Sequence, residues 1–130
     1  MKQVMQVVAL AFFLVTSDYV GASDCKMFIT AKNDTGSPVV AAIFNDRDER
    51  VSVLPISARS EVKFLDLCAS NYKVIFKDGN RYTETEPISI AYTVTTVGNS
   101  TSTNWTNGSA RYFVTQGRSS GKPAAPQYRF

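Results

Sequence analysis

The sequence predicts an all-β fold: one antiparallel two-sheet β-sandwich of about seven strands, immunoglobulin-like or prealbumin-like, closed by a single disulfide. Three observations carry that expectation. Apolar and β-branched residues recur with a period of two through most of the chain after residue 25. Clusters of Gly, Pro, Asn, Asp and Ser separate these runs at short intervals. No stretch shows the 3.6-residue period of an amphipathic helix.

Residues 1–22 read as a signal peptide. Lys2 supplies a positive start, Val7 to Val15 an apolar run, and Val20-Gly21-Ala22 or Gly21-Ala22-Ser23 a small-residue cleavage site. The run is too short to span a bilayer, and Thr16, Ser17 and Asp18 follow it, so no membrane span is expected. A chain sent to an oxidising compartment with two cysteines, Cys25 and Cys68, is expected to join them. Closing a loop of about 43 residues contributes about 4 kcal/mol on the chain-entropy view.

Residues 23–117 form the expected sandwich domain. Cys25 to Lys32 reads as the first strand, with Met27, Ile29 and Ala31 on one face. Asn33 to Pro38 is a loop, and Val39 to Asn45 is a central strand, apolar on both faces. A charged turn, Asp46 to Glu49, leads to a short strand from Arg50 that Pro55 ends, and Ile56 to Ser60 crosses over. Val62 and Phe64 then alternate with Glu61, Lys63 and Leu65; Tyr72, Val74 and Phe76 alternate with Lys73, Ile75 and Lys77. Between them lies a corner, Asp66 to Asn71, and after them the hairpin signal Asp78-Gly79. Tyr82 to Glu86 is extended, Pro87 breaks it, and Ile88 to Val97 is the cleanest alternation in the chain. Gly98 to Ser109 reads as a polar loop and Ala110 to Gln116 as the last strand. Residues 118–130, rich in Gly, Ser, Pro and basic residues, have the composition of a disordered tail.

The corner, an alternating strand, Asp66-Leu67, then Tyr72-x-Val74-x-Phe76, resembles that of prealbumin-like sandwiches such as carboxypeptidase regulatory-like domains. A segment like Asn33-Asp34-Thr35-Gly36-Ser37-Pro38-Val39 often precedes it in them, and the likeness covers about residues 29–82. It implies a fold and no activity.

Charge and composition exclude several functions. Residues 23–117 hold ten Lys/Arg against ten Asp/Glu, so the body is neutral and the excess of +3 sits in Arg118, Lys122 and Arg129. A neutral body is no nucleic-acid face. No histidine occurs, which removes Ser-His-Asp and Cys-His nucleophilic sites and most zinc sites. No cofactor or metal is called for, although Asp46, Asp48 and Glu49 place oxygen ligands close enough for calcium to be weighed. Four sequons begin at Asn33, Asn99, Asn104 and Asn107. The single tryptophan, Trp105, lies among Asn, Thr and Ser; with Tyr112 it is the candidate contact residue for a glycan or a protein.

The expectation is therefore a secreted binding module, periplasmic or extracellular if the source is bacterial, without catalytic activity. Its contact surface would be the loops at one end of the sandwich. The alternatives are a small carboxylate-based hydrolase, or an accessory module that engages an assembly through its tail.

Overall fold

Met27, Ile29 and Ala31 alternate with Phe28, Thr30 and Lys32, and strand β1 (Met27–Asn33) turns the first set fully inward. The computed structural model describes residues 25–130, so the expected signal peptide, residues 1–22, lies outside the described residues. The strands that follow are β2 (Val39–Phe44), β3 (Arg50–Ile56), β4 (Ser60–Leu67), β5 (Ser70–Asp78), β6 (Arg81–Glu84), β7 (Ile88–Val97), β8 (Ser100–Thr106) and β9 (Gly108–Tyr112). Three two-residue strands, β10 (Val114–Thr115), β11 (Arg118–Ser119) and β12 (Lys122–Pro123), and a 3-10 turn at Pro126–Tyr128 complete the chain.

β10 pairs with β11 in a separate two-stranded ribbon, and the other strands make two sheets. The smaller has the order β4-β1-β9, the larger β12-β6-β5-β2-β3, with β7 also joined to β5. The core between them takes Met27, Ile29 and Phe64 from one side and Ile43, Val74 and Phe76 from the other. The expected all-β sandwich is thus the fold. One pair departs from the antiparallel rule: β1 and β9 run parallel, Ile29 opposite Gly108 through Asn33 opposite Tyr112. β3 also runs through Pro55 rather than ending there. It is an edge strand, where a missing N–H on the open side costs no ladder bond.

The corner forms as its sequence implies. β1–β4 register shifts between Met27–Leu67 and Ile29–Phe64, and Asp66 takes a positive φ of 57°. The extra residue leaves Leu65 exposed and returns Leu67 to the core. The Tyr72 hydroxyl then donates to the Cys68 carbonyl at 2.8 Å, fixing the entry to β5. Cys25 and Cys68 are joined in a disulfide, which ties the start of β1 to this corner.

Residues 118–130 correct the expectation of a disordered tail. The segment first adds β12 to the edge of the larger sheet beside β6, Lys122 opposite Glu84 and Pro123 opposite Thr83, and then crosses the sheet's outer face. Tyr128 is buried in a second apolar cluster with Ala42, Phe44, Ile75 and Ala124. Its ring meets Phe44 edge-on at 5.1 Å, and Phe130 meets Tyr82 in the same way at 5.4 Å. Composition misled here because two aromatics outweigh the surrounding Gly, Ser and Pro once an apolar face awaits them. The strap explains why β2 is apolar on both faces: one faces the sandwich core, the other faces Tyr128. Gly121 permits the crossing, since a Cβ there would stand 2.5 Å from the Glu84 carbonyl oxygen.

Glu84, 5% exposed, anchors the strap. Its carboxylate meets Lys73 at 3.2 Å and Lys122 at 3.7 Å, and accepts the Ala125 N–H at 3.3 Å. Burial pushes its pKa up, but the Lys73 hydrogen bond, the Ala125 N–H and the two ammonium charges outweigh that, and the net shift is downward. A carboxyl with a lowered folded pKa stabilises above its ordinary value and loses that contribution as pH falls through the lowered one. Stability is therefore expected to fall from about pH 4.5 downward, and Glu84→Gln is expected to flatten that acid limb. Urea midpoints measured from neutral pH to strong acid on both proteins check this; parallel curves would remove Glu84 as the cause.

Candidate functional site

The cleanest alternation in the sequence, Ile88 to Val97, does two jobs. In its first half Ile90 and Tyr92 point into the core, and Ser70 to Tyr72 of β5 pair with Ile88 to Ile90. Beyond Tyr92 the strand runs exposed, with Thr93, Thr95, Thr96 and Val97 open to solvent. Gly98 takes φ 59° at the first central position of a two-residue turn, and β8 returns antiparallel with seven consecutive pairs from Val97–Ser100 to Ala91–Thr106. The expected polar loop is therefore a hairpin arm. The Gly98-Asn99 turn between β-branched residues was its sequence signal; Ser, Thr and Asn content argued for a loop instead.

Pairing sorts the arm into two faces. Tyr92 opposite Trp105, Val94 opposite Thr103 and Thr96 opposite Thr101 share one face; Thr93 opposite Asn104 and Thr95 opposite Ser102 share the other. On the first face Tyr92 is buried while Trp105, beside it, is 44% exposed. Thr96 and Thr101 hydroxyls approach to 3.5 Å. No residue from Ile88 to Ser109 carries a charge. The arm is rooted by the Phe28 N–H, which donates to Asn107 Oδ1 at 2.9 Å, and by Gly108. A Cβ on Gly108 would lie 2.3 Å from Ile88 Cγ2, so only glycine lets β9 pass this close.

The other candidate residues fall elsewhere. Tyr112 is no contact residue: it is 0% exposed, stacked on Phe76 at 5.3 Å, and its hydroxyl donates to Asp78 Oδ2 at 2.8 Å. Burial first, then Asp78, push its phenol up to about 12. Period-two patterning allowed either face at that position, and the parallel pairing with Asn33 chose the inner one. Asn33 is equally unavailable for a glycan. It is fully buried, its Nδ2 donates to the Ser37, Ile56 and Ser57 carbonyls, and its Oδ1 accepts from Thr35. Those bonds join the 34–38 loop to the β3–β4 crossover. Asn99, Asn104 and Asn107 are exposed, at the tip, one face and the root of the arm.

The acidic turn is organised by its own side chains. Asn45 Oδ1 accepts the Arg47 and Glu49 N–H groups, and Asn45 Nδ2 donates to Glu49. Arg47 sits 3.2 Å from the Glu49 carboxylate, and the Tyr128 hydroxyl donates to Asp48 at 2.6 Å. The Asn45 hydrogen bond, then Arg47, lower the Glu49 pKa. Among the described residues no group of three or more His, Cys, Asp or Glu is placed to hold a metal ion. Two surface clefts are open and mixed in character: about 600 Å³ beside Asp78, Arg81 and Val114, and about 360 Å³ between Asp48, Tyr72 and Tyr128. No helix among the described residues is long and apolar enough to cross a membrane.

The arm can therefore offer hydroxyls, amides, open backbone and one aromatic plane, with no acid or base of its own. Comparison with protein-family models, curated proteins and solved structures finds no match for the chain.

Proposed function

We propose that this chain is a secreted β-sandwich that works by binding, with the β7–β8 arm as its contact surface and Trp105 as the anchor. The observation that carries the reading is the pairing of a half-exposed tryptophan with a run of 22 uncharged residues that leaves the body. An uncharged surface of hydroxyls and amides around one indole suits a neutral partner, a glycan or an uncharged protein segment. Ion-paired recognition would need charges that this arm lacks.

Export is part of the proposal, supported by the apolar run before Cys25 and by the disulfide. So is kinship with prealbumin-like modules, supported by the Tyr72–Cys68 corner. The alternatives have less behind them. A carboxylate hydrolase needs one carboxyl held protonated, whereas the buried Glu84 is held ionised by Lys73 and Lys122. Engagement through the tail needs a free tail, and this one lies against β6 and β2.

The single tryptophan makes the test direct, because its emission reports only the arm. Titration with a panel of neutral oligosaccharides and with extracellular-fluid proteins is expected to shift Trp105 emission. Trp105→Ala is expected to weaken the captured ligand by about tenfold or more, the scale of an anchor residue, with the far-UV spectrum unchanged. A retained ligand in that variant would remove Trp105 from the site.

A further inference from the structure

Each β8 residue has its backbone N–H and C=O aimed either at β7 or away from it. In a two-residue hairpin the pair that closes the turn is hydrogen-bonded, and such pairs then alternate with non-bonded ones. Val97–Ser100 closes this turn, so Ser102, Asn104 and Thr106 bond to β7. Thr101, Thr103 and Trp105 aim their backbone groups outward. Among the described residues β8 pairs with no strand but β7.

Exposed edges in folded proteins carry guards: an inward charge, lysines, proline, a bulge or a very short strand. This edge has none of them. The seven β7–β8 pairs run without a register shift, and residues 88–109 contain no Lys, Arg, Asp, Glu or Pro. The body is guarded differently: its edge strand β3 carries Arg50 and Pro55.

We infer that the outer edge of β8 pairs antiparallel with the β8 of a second copy of this chain, joining two arms into one continuous sheet about a two-fold axis at Thr103. This names the partner of the arm already described and so rests on the arm being the contact surface. Three features select a second copy. An antiparallel pair of identical edges is self-complementary and closes on itself. Two uncharged edges meet without like-charge repulsion, which a charged edge would impose on itself. The register is also set by the outward residues. With Thr103 opposite its counterpart, Thr101 faces the partner's Trp105 and Trp105 the partner's Thr101. All three outward positions then fall in hydrogen-bonded pairs, giving about six backbone bonds. Each Trp105 gains a β-branched neighbour, a favourable cross-strand pairing. The axis is perpendicular to the sheet, so both Trp105 side chains stand on the same face and present a two-point surface. Asn104 projects from the opposite face, and Asn99 lies at the tip, so glycans on either leave the edge open.

Sedimentation equilibrium of the secreted protein tests this over micromolar to submillimolar concentrations. The expected result is a monomer–dimer equilibrium. Thr103→Lys places two ammonium groups against each other at the axis, and Thr103→Pro removes an outward N–H that no β7–β8 bond uses. Both variants are expected to stay monomeric across the range, with the wild-type far-UV spectrum. Amide exchange supplies a readout free of substitutions: Thr101, Thr103 and Trp105 are expected to be protected in concentrated wild-type protein and to lose protection on dilution. A wild type that is monomeric throughout overturns the inference, as does a dimer that survives both substitutions or exchange at these amides that ignores concentration. The two readings fail separately. A monomer whose Trp105 still responds to a ligand sinks self-pairing alone; a β8-dependent dimer with no ligand response sinks the ligand reading alone.

Discussion

Replacing Cys25 and Cys68 together by alanine is expected to lower the unfolding free energy by about 4 kcal/mol, the chain-entropy value for a loop of this length. The bond spans a sequence separation of 43 and joins segments that β1–β4 pairing already brings together, Met27 lying opposite Leu67. Its effect therefore falls mainly on the unfolded chain, which without it regains the freedom to separate its amino-terminal strand from the corner. Urea unfolding of both proteins under oxidising conditions measures the difference. The midpoint should drop and the slope rise slightly, because the uncrosslinked chain unfolds to a more open state. A loss below about 1 kcal/mol would mean that the unfolded chain is already restricted there by other contacts.

Tyr128→Ala is expected to rank next, at about 3 kcal/mol, toward the low end of what truncating a buried aromatic costs. The ring fills the space over Phe44, the hydroxyl bonds Asp48, and Lys73 both donates to that hydroxyl and lies 4.9 Å from the ring centre. The same contacts raise the Lys73 pKa, the Tyr128 hydrogen bond first and Glu84 second. Loss of the ring should release the whole strap, so the penalty cannot exceed the strap's docking free energy. Deleting residues 122–130 is then expected to match Tyr128→Ala within the error of the measurement. The side chains uncovered, Ala42, Phe44 and Ile75, should bind an apolar dye in both variants. A deletion markedly worse than the point substitution would show that Phe130 and Glu84 hold the strap without Tyr128.

Much of the body was legible because a single physical signal, period-two burial, dominates it. The inward set Met27, Ile29 and Ala31, the doubly apolar β2 and the Cys68 corner all follow from that signal and from turn chemistry. What escaped was what depends on distant partners. Tyr112 and Asn33 are neighbours across a parallel pair formed by the two ends of the sandwich domain, and nothing local tells a buried tyrosine from an exposed one. The strap was hidden because its aromatics have no periodicity; they bury against a face made by β2 and β5, not by their own neighbours. The arm was hidden for the opposite reason. Its strands bury little, so alternation of Ser, Thr and Asn carries no hydropathy contrast, and only the Gly98-Asn99 pair and the β-branched threonines mark it as extended.

The parallel junction of β1 with β9 sets when the molecule can assemble. Ile29 must wait for Gly108, and Ala42 for Tyr128, so neither sheet is complete until these distant segments reach it. With such distant pairings the domain is expected to fold slowly, in times of about milliseconds to seconds. The β1–β4 pair and the Cys25–Cys68 bond need nothing beyond residue 68, so one flank of β1 can be secured early while its other flank stays open for β9.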